Sequence, residues 1–168
     1  ISVSSWTAGL QVIMGAIGIE PGDEVICPPY TMSASATSAL FYGGVPVFAD
    51  IDKDTYNINP ESIIKSISPR TKAIVVVHLF GNPANMQEII KIAKQHKLKI
   101  IEDAAQSPGV KYKGQQVGSL ADIGGFSLNY HKHIHCGEGG VIVTNDDKLA
   151  KKCMLIRNHG ENVVESFK

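Results

Sequence analysis

The run "AIVVV" at 73–77 constrains the fold more than any other stretch of the chain. It is rich in β-branched residues and has no polar residue at alternate positions, so as a strand it offers no face to water. A strand covered on both faces belongs to a parallel sheet with helices packed above and below. Shorter apolar runs repeat the signal. Glu24–Cys27 follows the Pro-Gly turn of "GIEPGDEVICP", another strand is expected around Val45–Ala49, and Leu98–Ile101, Ile123–Ser127 and Val141–Thr144 complete the set.

Helical patterns fill the intervals. Thr7–Ile17 is apolar nearly all round, as a buried helix would be. Ser33–Phe41 is rich in small residues and reads as helical, and Pro60–Ile67 carries its proline in the first turn, where it is tolerated. In "NPANMQEIIKIAKQHK", Met86, Ile89, Ile90 and Ala93 recur at helical spacing. Asp146–Arg157 begins with acids and ends with bases, matching the helix macrodipole. Strands alternating with helices predict an α/β sandwich around a mostly parallel sheet.

No repeat or linker interrupts the 168 residues, so one domain is expected. Sixteen basic residues balance sixteen acidic ones, which leaves no global field favouring nucleic acid or an anionic membrane. The longest apolar runs are far too short to span a bilayer. Cys27, Cys136 and Cys153 are scattered and odd in number, which argues against a disulfide framework and for a reducing, cytoplasmic compartment. The chain opens at Ile1 without a methionine and closes on "HGENVVESFK"; the expectation is a piece of a longer protein, cut at both ends.

Ligands of such sheets sit beyond the carboxyl ends of the strands, which directs attention to "HLFGN", "EDAAQS" and "SLNYHK". Three constellations stand out. In "SVSSWTAGLQ", the hydroxyls of Ser4, Ser5 and Thr7 lie where a helix begins; they fit phosphate binding, and they fit plain N-capping. Neither GxGxxG nor GxxxxGK[ST] occurs. Glu102 and Asp103 end a strand, and strand alternation sends their carboxylates to opposite sides, one toward a ligand or both into structural roles. Third, "GGFSLNYHKHIHCGEGG" at 124–140 holds His131, His133 and His135, which in an extended chain share one face as a three-imidazole zinc site. The flanking "GEGG" implies turning backbone instead. Lys132 is then either a surface lysine or an amine activated by desolvation and neighbouring cations.

Taken in order, "GIEPGDEVICPPYT", "GGVPVFADID", "VVVHLFGNPANM", "IIEDAAQSPG", "GGFSLNYHKHIHCGEGG" and "RNHGE" resemble the DegT/StrS family of sugar aminotransferases, which use pyridoxal 5′-phosphate (PLP). The resemblance runs over nearly the whole chain. It implies the large domain of the fold-type I PLP enzymes, a three-layer α/β sandwich with a mostly parallel mixed sheet, spanning residues 1–168, with a small carboxyl-terminal domain absent. It also implies a homodimer that shares its active site. The implied reaction moves an amino group from an amino acid, glutamate above all, to a keto-sugar nucleotide in amino-sugar biosynthesis.

Residue by residue, Lys132 matches the lysine that carries the cofactor and acts in catalysis, and Asp103 the carboxylate paired with the ring nitrogen. Gln106 matches the polar residue near the ring's phenolic oxygen. Ser127 and Thr7 match hydroxyls on the phosphate, with Trp6 and Ala8 as backbone donors beside them. Met32 falls where many relatives place an aromatic ring over the cofactor, and Trp6 where glycine is frequent. One relative within the family is a dehydratase with histidine at the lysine position; Lys132, followed by His133, favours transamination. A dehydratase-like relative, a non-catalytic PLP-binding protein and a zinc hydrolase built on the three histidines are the alternatives.

Overall fold

A computed structural model describes residues 1–161 of the chain. Nine strands and five helices run in the order β1 (Ser2–Val3), α1 (Trp6–Ile17), β2 (Glu24–Cys27), α2 (Ala34–Thr37), β3 (Val45–Phe48), α3 (Pro60–Ser66), β4 (Thr71–Val77), α4 (Met86–His96), β5 (Lys99–Asp103), β6 (Lys111–Tyr112), β7 (Gln115–Gln116), β8 (Ile123–Ser127), β9 (Gly140–Val143) and α5 (Asp147–Arg157). Seven strands form one sheet, ordered β1-β9-β8-β5-β4-β2-β3. From β8 to β3 all neighbours are parallel; β9 pairs antiparallel with both β8 and β1. The sheet is therefore mixed and mostly parallel.

Strand β4 runs through the middle and explains its own sequence. Ala73, Val75 and Val77 point into one apolar cluster with Leu10 and Ile13 of α1 and Leu149 of α5. Ile74 and Val76 point into the other, with Ile63 of α3 and Ile89 of α4. Each residue of the "AIVVV" run is buried because helices cover both faces. These two clusters separate the three layers of the expected α/β sandwich.

Side chains set the helix ends. Ser5 caps α1 by accepting from Ala8 N–H, Asn59 caps α3 ahead of Pro60, and Asp146 caps α5. The segment expected as one helix over Ser33–Phe41 divides into the single turn of α2 and a 3-10 stretch, Ser38–Tyr42, that ends at Gly43 with φ +71°. Two features had no expectation in the sequence: the β6–β7 hairpin, and β1, two residues long, at the sheet margin. Among the described residues no helix is long and apolar enough to cross a membrane.

Candidate functional site

The site begins at the carboxyl end of β5. Alternation sends the two strand-end acids apart, as the sequence predicts. Glu102 is fully buried against a neighbouring loop, where its carboxylate accepts from Gly118, Leu120 and Ala121 N–H and contacts His78 Nε2 at 3.0 Å. Asp103, almost as buried, faces the α1 side. Its Oδ1 accepts from Trp6 Nε1 at 2.7 Å and from Ala105 N–H at 3.2 Å, and its Oδ2 accepts from Ser35 Oγ at 2.8 Å. Ser35 Oγ lies 3.1 Å from Thr31 Oγ1, which extends the polar chain outward.

Asp103 lies at the wall of a cavity of about 640 Å3. Trp6, Thr7, Met32, Gln106, Ser127 and Lys132 line the same cavity, so seven of the eight predicted site residues converge from segments distant in sequence. The exception is Ala8. Its N–H is engaged by Ser5 Oγ at 3.1 Å and its side chain faces a separate groove with Val3 and Tyr42. Met32 is largely exposed at the rim, and Gln106 is held through Oε1, which accepts from Phe80 N–H at 2.7 Å. Trp6, expected to contribute a backbone donor, contributes its indole N–H to Asp103.

Lys132 sits in the loop between β8 and β9, half-buried, with its N–H on Asn129 O at 2.9 Å. Leu128 N–H to Gly139 O, Cys136 N–H to Leu128 O and a side-chain contact between Asn129 and Glu138 close that loop. Among the described residues the Lys132 ammonium has neither hydrogen-bond nor ion-pair partner. A half-buried amine facing a cavity without a partner is an amine kept available.

The three-histidine cage does not form. Residues 131–137 run through turns and bends rather than a strand, so the shared face that the cage requires is missing. His131 packs edge-on against the Tyr130 ring and lines the cavity; His133 and His135 do not line it. Among the described residues no three His, Cys, Asp or Glu side chains are grouped to hold a metal ion.

PLP presents an aldehyde, a ring nitrogen and a phosphate, which call for an amine, a carboxylate and a set of hydroxyl or N–H donors. The cavity offers Lys132, Asp103 and the hydroxyls of Ser127, Thr7 and Ser5, the last two at the amino end of α1. Its volume is in the range of cofactor pockets. The residues fit the group. Sequence reasoning missed Ser35, Thr31, Asn129 and Glu138 as lining or supporting residues, since single Ser, Thr, Asn and Glu residues carry no pattern until the chain folds.

Comparison with known proteins gives the same direction. A family profile described as the DegT/DnrJ/EryC1/StrS aminotransferase family matches residues 1–168. A GDP-perosamine synthase of Caulobacter vibrioides is 45% identical over 160 residues, which cover 95% of this chain and 43% of that protein. An aminotransferase of Psychrobacter cryohalolentis superposes with a TM-score of 0.97 at 42% identity, over 99% of this chain and 42% of that one. NtdA of Bacillus subtilis, solved with its cofactor PMP bound, superposes with a TM-score of 0.86 at 42% identity, over 92% of this chain and 35% of that one. The chain thus spans less than half the length of each of these proteins.

Proposed function

This chain belongs to the DegT/DnrJ/EryC1/StrS aminotransferase family, and on that premise we propose that the protein transfers an amino group from an amino-acid donor, glutamate, to a keto-sugar nucleotide in amino-sugar biosynthesis. Aminotransferases of this family use PLP. The observation that carries the reading is the convergence of an amine without a partner, Lys132, and a buried carboxylate, Asp103, on one cavity floored by hydroxyls.

When bound, PLP supplies the electron sink for the carbon that loses its proton. Every other task falls to the chain. Asp103 would hold the ring nitrogen and favour its protonated form. Ser127 and Thr7 orient the phosphate with neutral donors, aided by the amino end of α1. Lys132 would hold the cofactor through its amine, and the same nitrogen would be the base that takes a proton and the acid that returns it. Gln106, fixed by Phe80 N–H, would hold the edge of the ring, and Met32 at the rim would pack against it.

The sugar-nucleotide substrate is supported by the name of the perosamine synthase relative. In this reading the 168 residues are the large, PLP-binding domain, complemented by a small carboxyl-terminal domain and by a second subunit that completes the site as a homodimer. A cytoplasmic enzyme suits the cysteines: all three are free, and burial pushes the Cys27 and Cys153 thiols up to about 12 and about 11.

The test uses the full-length protein loaded with PLP. A visible cofactor band that bleaches on adding glutamate, followed by amino transfer to a keto-sugar nucleotide, is the expected result. Lys132→Ala should remove both band and turnover. A Lys132→Ala protein with an unchanged spectrum would reject the assignment.

A further inference from the structure

Trp6 is the only tryptophan in these 168 residues, and its ring is buried although it stands on the first turn of α1 beside a cavity. Two glycines make the socket that holds it. A Cβ on Gly125 would lie 2.3 Å from the indole Cζ3, and a Cβ on Gly9 would lie 2.8 Å from its Cε3. Neither position admits a side chain while the indole is there. The ring is thereby held in one orientation, which aims its N–H at Asp103 Oδ1 across 97 residues of sequence.

The distribution of donors on Asp103 is unequal. Oδ1 accepts twice, from Trp6 and from Ala105, while Oδ2 accepts once, from Ser35. A carboxylate oxygen takes about two hydrogen bonds, so Oδ1 is filled and Oδ2 keeps an open lone pair. The terminal torsion of an aspartate is broad and soft. Without the indole, Oδ1 would keep a single backbone donor and the group could turn.

We propose that Trp6 is a positioning residue for the cofactor: its indole N–H locks the Asp103 carboxylate so that Oδ2 is the atom that meets the PLP ring nitrogen. This rests on the reading of the cavity as a PLP site, and it gives the residue that stands where the family often has glycine a task of its own.

Trp6→Phe retains a ring and removes the N–H. In the full-length protein, the PLP dissociation constant, read from the visible band, is expected to rise about tenfold, the effect of losing one hydrogen bond to a charged group. The pH midpoint of that band is expected to rise as well, because a ring nitrogen less firmly paired with Asp103 is less often protonated, and an uncharged ring nitrogen does not oppose a positive charge elsewhere on the bound cofactor. In an Asp103→Ala background, Trp6→Phe should change the dissociation constant by less than about twofold. If Trp6→Phe fails to fold, replacing the indole at position 6 with its benzothiophene isostere keeps the shape and removes only the donor. Wild-type affinity and midpoint in either variant would overturn the proposal, as would equal losses with and without Asp103, which would mean that the ring acts by packing alone. The PLP reading fails on a different result: wild-type protein that takes up no PLP.

Discussion

Glu102 and Asp103 are consecutive on β5 yet belong to different parts of the molecule: Glu102 Oε2 lies 3.0 Å from His78 Nε2 on one side of the sheet, and Asp103 Oδ1 lies 2.7 Å from Trp6 Nε1 on the other. The Glu102–His78 pair is completely buried, and His78 Nδ1 accepts from Ala84 N–H at 3.2 Å, which assigns the ring proton to Nε2 and makes it a donor to Glu102. Glu102→Gln would turn an amide NH2 toward groups that are themselves donors. The expected loss is about 3 kcal/mol of unfolding free energy, measured by urea denaturation.

In the proposed function the cofactor phosphate would meet the Ser127 and Thr7 hydroxyls rather than cations. Ser127→Ala and Thr7→Ala should each raise the PLP dissociation constant about five- to tenfold, since each removes a donor to a charged group. Absorbance titration of the full-length protein measures this. An unchanged constant in both variants would relocate the phosphate.

Gly125 on β8 lies where two structures press together. A Cβ there would sit 2.1 Å from Val141 O of the paired strand β9 and 2.3 Å from the Trp6 ring. Backbone cannot yield as a flexible side chain can, so Gly125→Ala should destabilise by more than about 3 kcal/mol, seen as a large fall in thermal midpoint. Gly137, with open space around it but φ +90°, should show a milder loss on the same change, from backbone strain alone.

Glu24, at the start of β2, is held below its ordinary pKa of 4.5, first by the Ser68 hydroxyl and then by Arg70 and Thr71. A carboxylate with a depressed folded-state pKa adds stability above its unfolded value, and that contribution disappears as pH falls through the folded one. Wild type should therefore exceed Glu24→Gln in stability at neutral pH, with the gap closing below about pH 4.5. Denaturation midpoints of the two proteins across pH 3–7 read this directly.

The sequence makes the sheet legible where packing is two-sided. Glu24–Cys27 and Ile123–Ser127 have their predicted bounds because both are short apolar segments between turns. The β6–β7 hairpin escapes notice because its turn uses Lys113 and Gly114, both at positive φ, in place of the Asn-Gly or Asp-Gly pair that announces such turns. Strand β1 is two residues long and has no periodicity to read. At the site, the family motifs lead to Lys132, Asp103, Ser127 and Thr7. They give no sign that the Trp6 indole reaches Asp103, because the empty space it needs is written in Gly9 and Gly125, far apart in sequence. The alternating histidines look like a shared face only if the backbone is straight, and the turn and bends over 130–134 break it.

Among the described residues strand β1 pairs with β9 alone, with Ser2 opposite Val141 and Val3 opposite Gly140. On a ribosome, Ser2 and Val3 must therefore wait for about 140 more residues to be made, on the order of ten to thirty seconds at ordinary synthesis rates. Throughout that delay the apolar helix α1, and with it Trp6, lacks the β8–β9 wall it is built to rest on. The apolar side of α1 stays without that wall until β9 has been made, and only then is the cavity beside Trp6 enclosed.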